Sequence, residues 1–172
     1  ARSLDLGARG VMIPMVESRA QAQDIVQSCR YPGQGRRGAA FGFAQCDYQG
    51  GDVSRKMETY IARTLVIAQI ETERGLAQVE EIAAVDGIDV LWVGHFDLSN
   101  FMGIPGQFDH PDFDRAMTHV ATVARRHGKI AGFMATDPAW VARARKMGYT
   151  MLAAGTDTGL LQASYSELIK TM

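Results

Sequence analysis

Five short apolar runs constrain this chain more than any other feature: VMIPMV (11–16), LVIAQI (65–70), DVLWVG (89–94), KIAGFM (129–134) and TMLAAG (150–155). Each is apolar almost without interruption, where a half-exposed antiparallel strand would alternate. That pattern suits parallel strands covered on both faces. Between them, apolar residues fall at helical spacing in RAQAQDIVQSC, LAQVEEIAAV, FDRAMTHVATVARRHG and AWVARARKMG, with a last helix in LLQASYSELIKTM. Strand and helix therefore alternate, as in an α/β fold. Ser18 and Asp137-Pro138 supply helix starts, while Gly128 and Gly148 supply stops just ahead of the next strand.

A chain of 172 residues, 47% hydrophobic, has enough apolar material for one domain spanning 1–172. Five strand–helix units do not close an eight-stranded barrel, which typically needs about 200 residues or more. Two arrangements follow. The chain is either the C-terminal portion of a (β/α)8 TIM barrel, with three units ahead of Ala1, or an open five-stranded parallel sheet. The start at Ala1 rather than methionine, in residues that already read as the middle of a folded unit, leads us to expect a fragment.

Charge narrows the partners. With 18 basic against 19 acidic side chains and neither sign in a long run, there is no electrostatic footprint for nucleic acid or an anionic membrane, and a small molecule is the expected ligand. No apolar run approaches the roughly 20 residues that span a bilayer. Cys29 and Cys46 match no metal-ligand spacing and are too few for a disulfide scaffold, which fits a reducing cytoplasm.

The loops after the strands hold most of the glycine and many of the polar residues, and in parallel α/β folds ligands bind at the carboxyl ends of the strands. Glu71 directly follows LVIAQI, and Gln69 shares its parity, so both side chains face the same way. Asp97 ends the next run, LWVGHFD. Neighbouring parallel strands lie about 4.8 Å apart, so the two carboxylates can converge on one hard divalent cation, leaving coordination positions for substrate and water. Competing readings exist: Glu71 could pair with Arg74, Asp97 could cap a helix beginning LSNFMG, or the pair could do glycosidase-type acid–base work.

His95 could assist proton transfer or line the pocket; His110 belongs to a helix start, and His119 and His127 to a helix surface. The Gly155–Gly159 turn could present N–H groups to an anion, although Asp157 equally suits a cap. Only Lys56, Lys129, Lys146 and Lys170 exist, none at the carboxyl end of a run, so a Schiff-base nucleophile is not expected.

QIET (69–72), GHFDLSNFMG (94–103) and AAGTDTGLL (153–161), together with LDLGARGVMIPMVES (4–18) and YPGQGRRG (31–38), resemble in order and spacing the HpcH/HpaI aldolases, the class II pyruvate aldolases. The resemblance covers almost the whole chain. It implies a (β/α)8 barrel and a reversible aldol reaction, in which pyruvate on a divalent cation (Mg2+ or Mn2+, or Co2+) becomes an enolate that joins an aldehyde to give a 4-hydroxy-2-oxo acid. By resemblance Glu71 and Asp97 are the metal ligands, Gln69 contacts substrate, the backbone of Phe96 touches the substrate carboxylate, and Asp5 raises the basicity of a catalytic histidine. That histidine and a transition-state arginine match positions upstream of Ala1, and none of the four histidines here replaces the first. The last helix matches one exchanged between subunits of a homohexamer. The chain departs from the commoner Gly-Pro-Ala/Asn-Asp-Leu-Ser in having His95 and Phe96 before Asp97, which bears on the aldehyde accepted. Two other readings stand beside this one: a non-catalytic fragment whose exposed edge strands favour association, and a citrate-lyase-like or malyl-CoA-lyase-like enzyme on the same fold.

Overall fold

Every apolar run contains a strand: β1 (Gly10–Ile13), β2 (Leu65–Ile70), β3 (Val90–Val93), β4 (Ile130–Met134) and β5 (Met151–Ala153). The first run is cut short at Ile13 because Pro14 has no N–H for the ladder and Met15 turns the chain with a left-handed φ of 50°. The computed structural model describes residues 1–172, with α1 (Arg2–Asp5) ahead of β1 and α2 (Arg19–Cys29) and α3 (Val53–Arg63) between β1 and β2. Short α4 (Glu73–Ala77) and α5 (Val79–Ala83) join β2 to β3; α6 (His95–Phe101) and α7 (Pro111–Arg126) join β3 to β4. Finally α8 (Pro138–Met147) precedes β5, and α9 (Asp157–Lys170) follows it.

The strands are all parallel and lie in sequential order, β1-β2-β3-β4-β5. Right-handed crossovers in that order place the helices that connect the strands on the same side, which is the winding of a half-barrel and not of a doubly wound sheet. Against the helices, one parity of the strands (Val66, Ala68, Ile70, Leu91, Val93, Ala131, Phe133) packs with Val79 and Ile82 of α5 and Phe113, Met117 and Val120 of α7 in a single buried core. At burial this complete, truncating Phe133 to alanine costs about 3–5 kcal/mol.

The opposite parity forms the concave side. There Ile67, Val90 and Trp92 make a small cluster with Met134, Met151 and Ala153, while Met12, Leu65 and Ile130 each remain 40% exposed. Burial on both faces, expected from the continuous apolar runs, thus holds on the helix side and only in part inside the curve. Gly132 makes room for the Trp92 indole, since a β-carbon there would overlap the ring.

The boundaries follow the expected chemistry. Ser18 Oγ accepts from Gln21 N and Asp137 Oδ1 from Trp140 N, capping α2 and α8, and Gly148 ends α8 with φ 105°. His110 caps α7 through Nδ1, as its position ahead of Pro111 suggests. No helix is long and apolar enough to cross a membrane. The last helix, α9, has no buried residue, and Leu160, Leu161, Tyr165, Leu168 and Ile169 along it are 58–67% exposed.

Candidate functional site

Glu71 stands at the carboxyl end of β2 with only 3% of its surface exposed. Its Oε1 accepts the main-chain N–H of Met15 at 2.8 Å, and its Oε2 accepts the amide of Gln69, which lies two residues back on the same face of the strand. The Met15 donor comes from the strained residue that ends β1; Gln21 Nε2 in turn donates to the Met15 carbonyl at 3.1 Å. Left-handed backbone at a non-glycine residue costs of order 1–3 kcal/mol and concentrates at sites with a task. Here it aims an N–H at Oε1 of a buried carboxylate, the oxygen that Gln69 does not reach. The carboxylate pairs with no arginine: Arg74 is not among its partners.

Gly94 joins the two strand ends. Its N–H donates to the Ile70 carbonyl at 3.2 Å, and a β-carbon at this position would overlap Glu71 Oε2 and approach Gln69 Nε2 to 2.6 Å. Glycine is therefore required by close approach: the backbone of the β3 loop lies directly against the Glu71 carboxylate. Three residues on, Asp97 sits exposed in the first turn of α6 and makes no hydrogen bond. The expected alternative for it, a helix cap, fails because α6 begins at His95 with Gly94 as its N-cap residue. Asp97 thus lies three residues along the chain from the glycine whose backbone abuts Glu71. No group of three or more His, Cys, Asp or Glu side chains gathers anywhere.

Around this loop lies an aromatic wall. The His95 ring is 4.5 Å from Phe96, 5.2 Å from Phe108, 5.1 Å from Phe133 and 6.4 Å from Trp140, centre to centre. Burial holds its pKa below the ordinary histidine value. Phe96 is 61% exposed and stands edge-on to Phe108 at 5.2 Å.

Asp5 is not brought to this place. Arg37, buried, donates to its Oδ1 from Nε at 3.0 Å and Nη2 at 2.7 Å, and lies 4.7 Å over the Tyr31 ring. The Arg37 N–H is bonded to the Arg30 carbonyl, and the Arg30 guanidinium donates to the carbonyl of Thr64 and to Asp89 Oδ2, residues that immediately precede β2 and β3. Asp5 therefore stands at the amino ends of the strands, opposite Glu71 and Asp97.

The remaining polar candidates have structural partners. In the Gly155–Gly159 turn, Thr156 Oγ1 accepts from Gly159 N and Asp157 Oδ1 from Thr158 N, so the first N–H groups of α9 are already capped. His127 is more than a surface residue: its ring bonds Glu80 at 2.8 Å across α7 and α5, and that bond, with Arg126, holds the Glu80 carboxyl below its usual pKa. Lys129 precedes β4, at the end of the sheet away from the carboxylates, and Lys56, Lys146 and Lys170 lie on helices.

Three participants escape a reading of residue types. A glycine after an apolar run signals close backbone approach, so Gly94 was within reach. The Met15 N–H has no side-chain signature, and Arg37 sits in a glycine-rich loop without helical or strand period.

Comparison with known proteins gives the family and the fold. The model of the family described as "HpcH/HpaI aldolase/citrate lyase" matches residues 1–163. The chain is 36% identical over 164 residues to a hydroxypyruvate/pyruvate aldolase of Roseobacter denitrificans, covering 92% of this chain and 61% of that protein. It is 36% identical over 161 residues to a 2-keto-3-deoxy-L-rhamnonate aldolase of Klebsiella pneumoniae, covering 91% and 58%. The crystal structure of an HpcH/HpaI aldolase from Desulfitobacterium hafniense superposes with a TM-score of 0.91 at 32% identity, covering 99% of this chain and 66% of that one. The chain thus spans about three fifths of the length of the curated relatives it matches. With the family model covering almost all its residues and the parallel half-barrel shared with a solved member, the chain belongs to the HpcH/HpaI aldolase/citrate lyase family.

Proposed function

We propose that these residues form the metal-holding part of a class II aldolase that cleaves a 4-hydroxy-2-oxo acid into pyruvate and an aldehyde, or runs the reverse. The observation that carries the reading is the buried Glu71 carboxylate, held at both oxygens and separated from the loop of Asp97 only by the side-chain-free backbone of Gly94. Each Glu71 oxygen accepts one hydrogen bond and so retains a lone pair, and Asp97 has no partner at all. Two hard carboxylates with other positions left to water and substrate fit Mg2+ or Mn2+. Such a cation, when bound, supplies Lewis acidity that stabilises negative charge on the 2-oxo oxygen of the substrate.

The chain's own groups do the rest of the binding. Met15 and Gln69 fix the Glu71 carboxylate; Gln69, with its second amide hydrogen unassigned, faces the same concave side and can donate to the 2-oxo acid. In this reading the main chain at Phe96, in the first turn of α6, receives the substrate carboxylate, as the family resemblance implies. The base histidine and the arginine expected by resemblance are supplied from outside these residues. Asp5, at the opposite end of the sheet, can serve a base only in another copy of the chain. The largely exposed apolar residues of α9 support such an assembly, a homo-oligomer in which that helix packs on a neighbour. Closure of the half-barrel into a (β/α)8 barrel belongs to the same proposal.

The test is pyruvate release from 4-hydroxy-2-oxo acids by the purified protein. Activity should vanish on chelation and return with Mn2+ or Mg2+, and borohydride with pyruvate should leave every lysine unmodified. Chelator-resistant activity, or pyruvate trapped on a lysine, overturns the proposal. Preference for an acyl-CoA thioester would move the protein to the lyase branch.

A further inference from the structure

The loop that carries Asp97 is held by ring packing. His95 contacts Phe108 from the α6–α7 connection, Phe133 from β4 and Trp140 from α8, at separations typical of favourable aromatic pairs. The rings it touches are themselves braced: Phe133 lies 5.0 Å from Trp140 and is fully buried, and Phe108 meets Trp140 edge-on at 5.9 Å. Arg143 stacks over Trp140 at 4.5 Å and donates to the Phe108 carbonyl at 2.6 Å, tying the two together from outside. His95 makes no hydrogen bond through either ring nitrogen, so nothing polar accounts for its placement. Its backbone follows Gly94, whose missing side chain lets the main chain lie against Glu71, and precedes Phe96 and Asp97.

We propose that His95 is a positioning residue: its ring, wedged among Phe108, Phe133 and Trp140, fixes the height of the 94–97 turn and thereby the distance of Asp97 and of the Phe96 main chain from Glu71. This rests on the metal reading above. In it, the ring acts by shape alone and touches neither cation nor substrate. Phenylalanine should therefore replace it, and alanine should not.

The experiment compares the wild-type protein with His95→Phe and His95→Ala, measuring Mn2+ affinity by calorimetry and by the EPR signal of free Mn2+, with thermal melting as a check on folding. Supporting groups behind metal ligands typically change affinity about 10–100-fold when removed. His95→Phe should bind Mn2+ within about twofold of wild type, and His95→Ala should bind roughly 10-fold or more weakly. For the turnover of pyruvate, kcat should follow the same order. Equal losses in both variants would overturn the inference, because a ring nitrogen would then be doing the work. Unchanged affinity in His95→Ala would overturn it as well. If His95→Ala does not fold, the His95→Phe arm still decides between shape and nitrogen. Wild-type protein that binds no Mn2+ ends the metal reading and this inference with it, an outcome distinct from the other two.

Discussion

The two strand ends that meet at Gly94 are held by different forces. At the end of β2, directional hydrogen bonds specify both oxygens of Glu71, one from a strained main-chain N–H and one from a neighbouring amide. At the end of β3, aromatic packing fixes the backbone through His95 and leaves the Asp97 carboxylate free in solvent. A buried carboxylate must be satisfied at the moment of folding, because an unpaired polar group away from water costs several kcal/mol. An exposed one need not be, so its position can be set indirectly. On the metal reading proposed above, the difference makes Glu71 a preset jaw and Asp97 a jaw whose aim depends on a packed loop.

Four comparisons break or sharpen this contrast. The largest effect is expected from Gly94→Ala, which places a methyl group on Glu71 Oε2 and forces the two ends apart; Mn2+ affinity should fall by roughly 100-fold or more, since both jaws move. Calorimetry on the refolded variant checks this. Next, Glu71→Gln and Asp97→Asn should both weaken Mn2+ binding but differ in folding. The first disturbs two buried hydrogen bonds and should lower unfolding free energy by about 1–3 kcal/mol. The second changes a group without partners and should stay within about 0.5 kcal/mol. Urea denaturation of the two variants measures the split.

The third contrast is in pH. Burial depresses the His95 pKa, so the unfolded chain takes up this proton more readily than the folded one. The corresponding stability is fully present above about pH 6.5, the ordinary histidine value, and is lost as pH falls toward the depressed folded-state value. Denaturation midpoints of the wild type should therefore fall with acid more steeply than those of His95→Phe over that window. The smallest effect at the site should come from Tyr149→Phe. It removes a buried hydroxyl that donates to the Met117 carbonyl at 2.9 Å, costing about 1 kcal/mol of stability while leaving Mn2+ affinity within about twofold.

Much of this arrangement was legible in the residues. The near-continuous apolar runs located all five strands, and shared parity put Gln69 and Glu71 on one face of β2. The end of β1 was not read correctly: the run 11–16 passes through Pro14, whereas the strand stops at Ile13. The exposure of Met12, Leu65 and Ile130 was not legible, because an apolar run cannot say whether its second face is covered within the same 172 residues. Nor was the placement of Asp5. Motif order put it with the catalytic residues, but its short helix leads into the amino end of β1, and only the Arg37–Arg30 chain of hydrogen bonds reveals which end of the sheet it occupies. His95 looked like a chemical residue by type and turned out to have aromatic neighbours, which sequence distance hides because Phe133 and Trp140 come from other units.

The most direct measurement is the Mn2+ dissociation constant of the full chain, obtained by calorimetry with Glu71→Gln and Asp97→Asn alongside. The account predicts one bound ion per chain in the wild type and a loss of at least 10-fold in each variant. Affinity that is the same in all three proteins would contradict it.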